Sequence, residues 1–183
     1  MSDEILVKNC SPTLAGLKTG NLFNIHITSK EELQKDLRSL NKRLSAKGLR
    51  ILPMRYWDDR VLLYLYRPKN LQHDLLDQDA LSLLEEMDYP CAAPERCIAK
   101  LISKLKTASE FPHEIGLFLG YPPEDVRGFI ENKADCYKCL GTWKVYGNVE
   151  KAQKTFQKYK KCTNTYCKQL QNGKSIEQLT VAV

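Results

Sequence analysis

No window of the 183-residue sequence approaches the roughly 20 apolar residues that a membrane-spanning helix needs, so neither a helical membrane protein nor a membrane partner is indicated. Nor does a basic, then apolar leader with a small-residue cleavage site follow the acidic start Met1-Ser2-Asp3-Glu4, and the chain reads as cytoplasmic. Internal repeats and low-complexity tracts are missing, and no linker is long enough to demand two domains. Arginine is absent from Lys133 to Lys174, the most basic stretch of the chain, which removes the side chain best suited to bidentate phosphate binding from the place where positive charge is densest.

What is present describes a globular chain, with 43% hydrophobic and 27% charged residues. A chain of this length can bury a core without covalent staples, so its seven cysteines need another explanation. Their odd number and the missing export signal make reduced thiols the simplest reading. The formal charge of +6 is uneven. Lys133 to Lys174 holds ten lysines against Asp135 and Glu150, interleaved with Tyr137, Trp143, Tyr146, Phe156, Tyr159 and Tyr166. That is a polyanion-binding composition or, more plainly, a solvated amphipathic helix.

Local signals along the chain predict α+β architecture: a small, mostly antiparallel sheet of about four strands packed with several helices, and a helix-rich C-terminal half. Ser11-Pro12 reads as a helix start running through Leu17. Leu22–Ile27 suits a strand. Ser29 with Glu32 forms a capping box for a helix with Leu33, Leu37, Leu40 and Leu44 on one face and Gly48 as its stop. The runs 49–54 and 60–66 flank Trp57-Asp58-Asp59 as a hairpin, the second run apolar enough to be central. Pro68, Pro94, Pro112 and Pro123 each stand where a first-turn proline would. A further strand is predicted over 142–146 and a last helix from about Val149 to Leu170. Residues 1–174 then form one domain, with 175–183 a loose tail.

Three constellations could carry chemistry. Cys10 precedes the predicted Ser11-Pro12 helix start, where helix amides would favour the thiolate; otherwise it is a small buried hydrophobe. His113, in Phe111-Pro112-His113-Glu114, is the candidate base for it and Glu114 the candidate orienting carboxylate, although adjacent helical side chains do not face each other. Arg67, with Tyr64 and Tyr66 on one strand face, would line a substrate cleft or merely terminate the strand. Cys136, Cys139, Cys162 and Cys167 form two close pairs that could hold zinc or an iron–sulfur cluster, but Cys162 and Cys167 diverge on a helix by about 140° unless it breaks near Asn164. Cys91 and Cys97 read as packing residues. The segment 114–130 has the apolar and small-residue spacing of a helix-turn-helix, yet its second helix offers Glu124, Asp125 and Glu131 against Arg127, which would repel phosphate.

The stretches Cys10-Ser11-Pro12-Thr13-Leu14-Ala15-Gly16-Leu17-Lys18, Leu63-Tyr64-Leu65-Tyr66-Arg67-Pro68, Phe111-Pro112-His113-Glu114-Ile115-Gly116-Leu117-Phe118-Leu119-Gly120-Tyr121-Pro122 and Trp143-Lys144-Val145-Tyr146-Gly147 together resemble a family of uncharacterised proteins from anaerobic, chiefly clostridial, bacteria, catalogued as a domain of unknown function. The likeness spans nearly the whole chain. It implies a single-domain extent and an anaerobic source, in which exposed thiolates and oxygen-labile metal sites would be tolerated, and it draws notice to the Cys10 and His113 segments. The leading expectation is a thiol-dependent enzyme acting on a small molecule through Cys10 and His113. The alternatives are a nucleic-acid-binding regulator using 112–131 with the lysine-rich helix, less favoured, and a zinc or iron–sulfur protein using the four later cysteines.

Overall fold

The computed structural model describes residues 1–90, 93–107 and 110–182. Two compact units emerge where one domain is expected: residues 1–69 with 159–183, and residues 70–158.

The first unit is built on a three-stranded antiparallel sheet of β1 (Gly20–His26), β2 (Arg50–Trp57) and β3 (Arg60–Tyr66), in the order β1-β3-β2. The apolar run 61–66 takes the central position, buried along its length, because only a strand covered on both faces tolerates unbroken hydrophobicity. Pro53 lies on an edge strand, beside a register shift between Pro53 and Arg55, where the donor it lacks breaks no interior ladder. The helix predicted after Ser29 forms: α2 (Lys30–Leu44) begins at Ser29, whose hydroxyl accepts the Glu32 amide, and buries Leu33, Leu37, Leu40 and Leu44, while the Glu32 carboxylate accepts from Thr28 instead of closing the box. A single 3-10 turn then ends at Gly48, whose φ of 75° is the left-handed conformation glycine adopts at least cost.

Two local expectations are corrected in this unit. Helix α1 (Asp3–Leu14) starts eight residues before Ser11, capped by Ser2 with Asp3 and Glu4 in its first turn, and Pro12 lies inside it. The i, i+3, i+4 spacing of Leu6, Val7, Cys10 and Leu14, all buried, outweighs the donor that the proline removes in the last turn. The segment after Gly173 carries α9 (Ile176–Leu179), opened by a reciprocal capping box between Ser175 and Gln178. Its Ile176 and Leu179 belong to the same core as Leu6, Leu14, Leu37 and Leu63. Val181 donates its amide to the Leu14 carbonyl at 3.0 Å, so the final residues are anchored rather than loose.

The second unit is mostly helical. Its elements are α3 (Pro68–Leu75), α4 (Gln78–Glu86), α5 (Pro94–Thr107), α6 (Ile115–Phe118), α7 (Pro123–Glu131) and α8 (Val149–Gln171), with a two-stranded ribbon of β4 (Cys139–Leu140) and β5 (Lys144–Val145). The unit boundaries fall within α3 and α8. Pro68, Pro94 and Pro123 open helices as first-turn prolines. Pro112 instead stands in the turn before α6. Leu83, Leu84, Ile98, Leu101, Leu105, Leu117 and Phe118 are buried, as apolar helix faces require. Among the described residues, no helix is long and apolar enough to cross a membrane.

Candidate ligand pocket

A pocket of about 360 Å³ opens in the second unit, within the size range of small-molecule sites. Its geometry begins with the corner between α6 and α7. Gly120 takes a φ of 72° to end α6, and the Tyr121 amide donates back to the Gly116 carbonyl at 3.0 Å. Pro122 and Pro123 then start α7 at once. Gly116 permits the close approach, since a Cβ there would stand 2.7 Å from Val126 Cγ2. The helical corner read from the sequence is therefore real as a structural unit.

From α7, Asp125 and Phe129 project on one face, four residues apart. The buried Asp125 carboxylate clamps the segment 143–147: Trp143 Nε1 donates to Oδ2 at 2.6 Å, and the Tyr146 and Gly147 amides donate to Oδ1 at 2.7 and 2.8 Å. Gly128 lets that segment lie flat, because a Cβ at this position would meet Tyr146 Cγ at 2.4 Å. The Trp143 ring stacks on Tyr121 at a centroid distance of 4.8 Å and meets Phe156 edge-on at 4.6 Å. Packing against these two rings orders the indole before any ligand arrives.

The rest of the wall comes from Phe111, His113, Ile115, Val126 and Lys144. Phe111 is 47% exposed, a large apolar ring left facing solvent. His113 is also exposed, its ring 4.8 Å from that of Phe129. Lys144 Nζ donates to the Ala134 carbonyl at 2.6 Å and lies over the rings of Tyr137 and Phe129, at 4.7 and 5.7 Å from their centroids. Burial pushes the Tyr121 phenol up to about 12, so it stays neutral and donates to the Thr142 carbonyl at 3.4 Å. The arrangement is an aromatic slot with two cationic or ionisable nitrogen groups and one carboxylate whose oxygens are already occupied.

A larger hollow of about 1080 Å³ lies in the first unit, against Met1, Lys8, His26, Glu32 and Asp36. Two pairs of its polar groups serve each other: the Met1 amine pairs with Asp36, and Thr28 donates to Glu32 at 3.4 Å. The smaller aromatic pocket has the convergent apolar walls typical of small-molecule sites.

The residues singled out from the sequence fall elsewhere, apart from His113. Cys10 lies two turns into α1 rather than at a helix start and is 0% exposed; burial pushes its thiol far up, so the amide-stabilised thiolate expected there does not form. Cys10 belongs to the first unit and His113 to the second. Glu114 turns away from its neighbour into the core, accepting from Tyr89 Oη at 2.8 Å and Lys104 Nζ at 2.7 Å. Arg67 is buried and spends its guanidinium on four backbone carbonyls: Thr13 and Leu14 at 2.7 Å, Val181 at 2.8 Å and Lys47 at 3.2 Å. Tyr64 and Tyr66 do share a strand face, stacked 4.7 Å apart within 1° of parallel, but both are buried. These three side chains hold the first core together instead of lining an open cleft.

Of the later cysteines, Cys136 and Cys139 belong to the second unit, Cys162 and Cys167 to the first. Helix α8 runs unbroken through Asn164, so the latter pair keeps its divergence of about 140°. Burial pushes the Cys162 thiol up to about 11, which disfavours the thiolate a metal requires. Among the described residues, no group of three or more His, Cys, Asp or Glu side chains is placed to hold a metal ion. Cys97 is buried, its thiol donating to the Pro90 carbonyl at 3.4 Å, as a packing residue; Cys91 lies outside the described residues.

As a DNA reader, the 112–131 corner is poorly equipped. Helix α6 is a single turn, Asp125 serves the pocket, and Arg127 is committed to Glu86 through two bonds of 3.0 and 2.9 Å. Among the described residues, Arg127 is the cation of α7, and it is paired with Glu86 and Glu131.

Fold and pocket define an α+β protein whose helical unit carries an aromatic-walled cavity clamped by one buried carboxylate. The chain belongs to the family described as "Protein of unknown function (DUF3793)", whose model matches residues 6–180. No curated protein and no solved structure matches it.

Proposed function

We propose that the second unit is a binding module for small aromatic molecules. The observation that carries this reading is the preset indole of Trp143, fixed by Asp125, Tyr121 and Phe156 on the wall of a pocket of about 360 Å³. A wall whose rings are already ordered adds little entropic cost on binding, and a flat apolar ring gains both burial and stacking there. A thiol-dependent reaction at Cys10 draws no support from a thiol that is buried and held protonated.

Heteronuclear NMR tests the reading directly. The chain has two tryptophans, so the indole N–H cross-peak of Trp143 can be assigned from a Trp57→Phe variant. Titration with benzyl alcohol is expected to move the Trp143 peak saturably while leaving Trp57 in place, and Val126→Phe, which fills the pocket, is expected to abolish the shift. An unmoved Trp143 peak at the solubility limit of the alcohol overturns the proposal.

A further inference from the structure

Resting on that pocket reading, we infer that the ligand is an aromatic carboxylate: its ring lies in the slot and its anion is met by Lys144 and His113. Asp125 already accepts from three donors, Trp143 on Oδ2 and two backbone amides on Oδ1, so it offers a neutral or cationic ligand less than an unengaged carboxylate would. Lys144 is different. An ammonium has three donors, and one of them is spent on the Ala134 carbonyl. Its Nζ lies 5.7 Å from the centroid of the Phe129 ring, the exposed imidazole of His113 lies 4.8 Å from the same ring, and both side chains line the slot. Imidazole and ammonium both donate to a carboxylate, and an ammonium cannot accept from any ligand donor.

The charge on the Lys144 side of the slot has the same sign, while α7 carries Asp125, engaged by three donors, and Glu124 and Glu131 beside Arg127. Lys133 to Lys158 holds six lysines against Asp135 and Glu150, and Glu150 is paired with Lys154. Such a field raises the local concentration of small anions. This gives the basic, aromatic-interleaved segment a role that needs no arginine: a single carboxylate is held by point charges, whereas nucleic-acid backbones favour the guanidinium fork.

A matched pair of probes tests the inference: hydrocinnamate and the neutral hydrocinnamyl alcohol, followed by the Trp143 indole cross-peak. Hydrocinnamate is expected to bind about fivefold more tightly, the ratio expected for a partly screened ion pair. Lys144→Met is expected to remove most of that preference, read as the ratio of the hydrocinnamate and alcohol affinities in the variant against the same ratio in the parent. Equal or weaker binding of hydrocinnamate overturns the carboxylate inference and leaves the aromatic-pocket reading intact. Binding of neither probe overturns the pocket reading itself. A preference that survives in both Lys144→Met and His113→Gln also overturns the inference, because the charge would then be met elsewhere.

Discussion

Trp143 Nε1 donates to Asp125 Oδ2 at 2.6 Å, a charge-assisted bond between the start of α7 and the approach to β5 that sets the plane of the indole. The same carboxylate takes two backbone amides on its other oxygen, so it is an organising group, acting through Trp143 rather than on a ligand. Asp125→Asn keeps one acceptor but turns an amide N–H₂ toward either the indole or the two backbone donors. The expected cost is about 1–3 kcal/mol of stability, for leaving a buried donor unpaired. Trp143 is expected to loosen in step, read as a shifted and broadened indole cross-peak together with weakened benzyl alcohol binding. A fully native peak position in the Asn variant would show that packing against Tyr121 and Phe156 alone holds the ring.

Tyr146 makes the opposite prediction. Its hydroxyl is buried and has no hydrogen-bond partner among the described residues, while its ring covers Gly128. Burial raises its phenol above the ordinary value, with Asp135 adding to the effect, so the group stays neutral without being satisfied. Tyr146→Phe removes the unsatisfied oxygen and keeps the ring. Stability is expected to stay level or rise by up to about 1 kcal/mol, measured by denaturant unfolding. A loss above about 1 kcal/mol would mean that the hydroxyl has a partner, such as an ordered water, that supports the native state.

These two residues show where sequence reasoning reaches and where it stops. The helix start at Ser29, the Leu33–Leu44 stripe, the hairpin around Asp58 and the central position of the 61–66 run follow from local period and turn chemistry and appear as read, although Glu32 turns its carboxylate to Thr28 instead of back to the Ser29 amide. The α1 start was obscured because a proline at position 12 is a strong local signal, whereas the Ser2 cap lies too near the chain start to be flanked by any pattern. The site was less legible still. His113 drew notice through its neighbour Glu114, yet the two diverge, one onto Phe129 and the other to Tyr89 and Lys104. Asp125 and Trp143 are 18 residues apart, and nothing periodic links a carboxylate on a helix to an indole preceding a two-residue strand. The trace that was present is compositional: aromatics interleaved with lysines after Lys133, which marked the segment without saying what it faced.

Arg67 ties three separate stretches of the first unit to its own, since its guanidinium reaches carbonyls at the end of α1, at Lys47 and at Val181. Two of those carbonyls belong to the last turn of α1, the negative end of its dipole, which favours a cation there. Arg67→Met leaves the carbonyls without this donor set, and a cost of roughly 3–5 kcal/mol is expected. Arg67→Lys keeps the charge but cannot span the planar fork, so it should recover only a minor part. The diagnostic readout is hydrogen exchange at the Val181 amide, which bonds Leu14 and should lose protection in both variants. Full stability of Arg67→Lys would reduce the role of Arg67 to charge alone.

Lys18 and Cys10 give a pH dependence whose two parts have opposite signs. Burial pulls the Lys18 ammonium from 10.5 down to about 8, against a smaller upward pull from Cys10. Between those values the unfolded chain holds more protons than the folded one, so this group makes stability rise with pH across that window. Cys10 works the other way. Burial raises its thiol above the ordinary 9.0, so above about that pH the unfolded chain loses a proton that the folded chain keeps, and stability falls. Denaturant unfolding of the parent protein and its variants should separate the two contributions. The Lys18 rise is expected alone between pH of about 8 and 9 and to be opposed above 9. Cys10→Ala should extend the rise toward 10.5, at a cost of about 1–2 kcal/mol for the small cavity. Lys18→Met should abolish the rise and, near neutral pH, stabilise by roughly 1–2 kcal/mol by removing a buried ammonium. A Lys18→Met variant that is less stable near neutral pH would show that the ammonium's own contacts outweigh its desolvation.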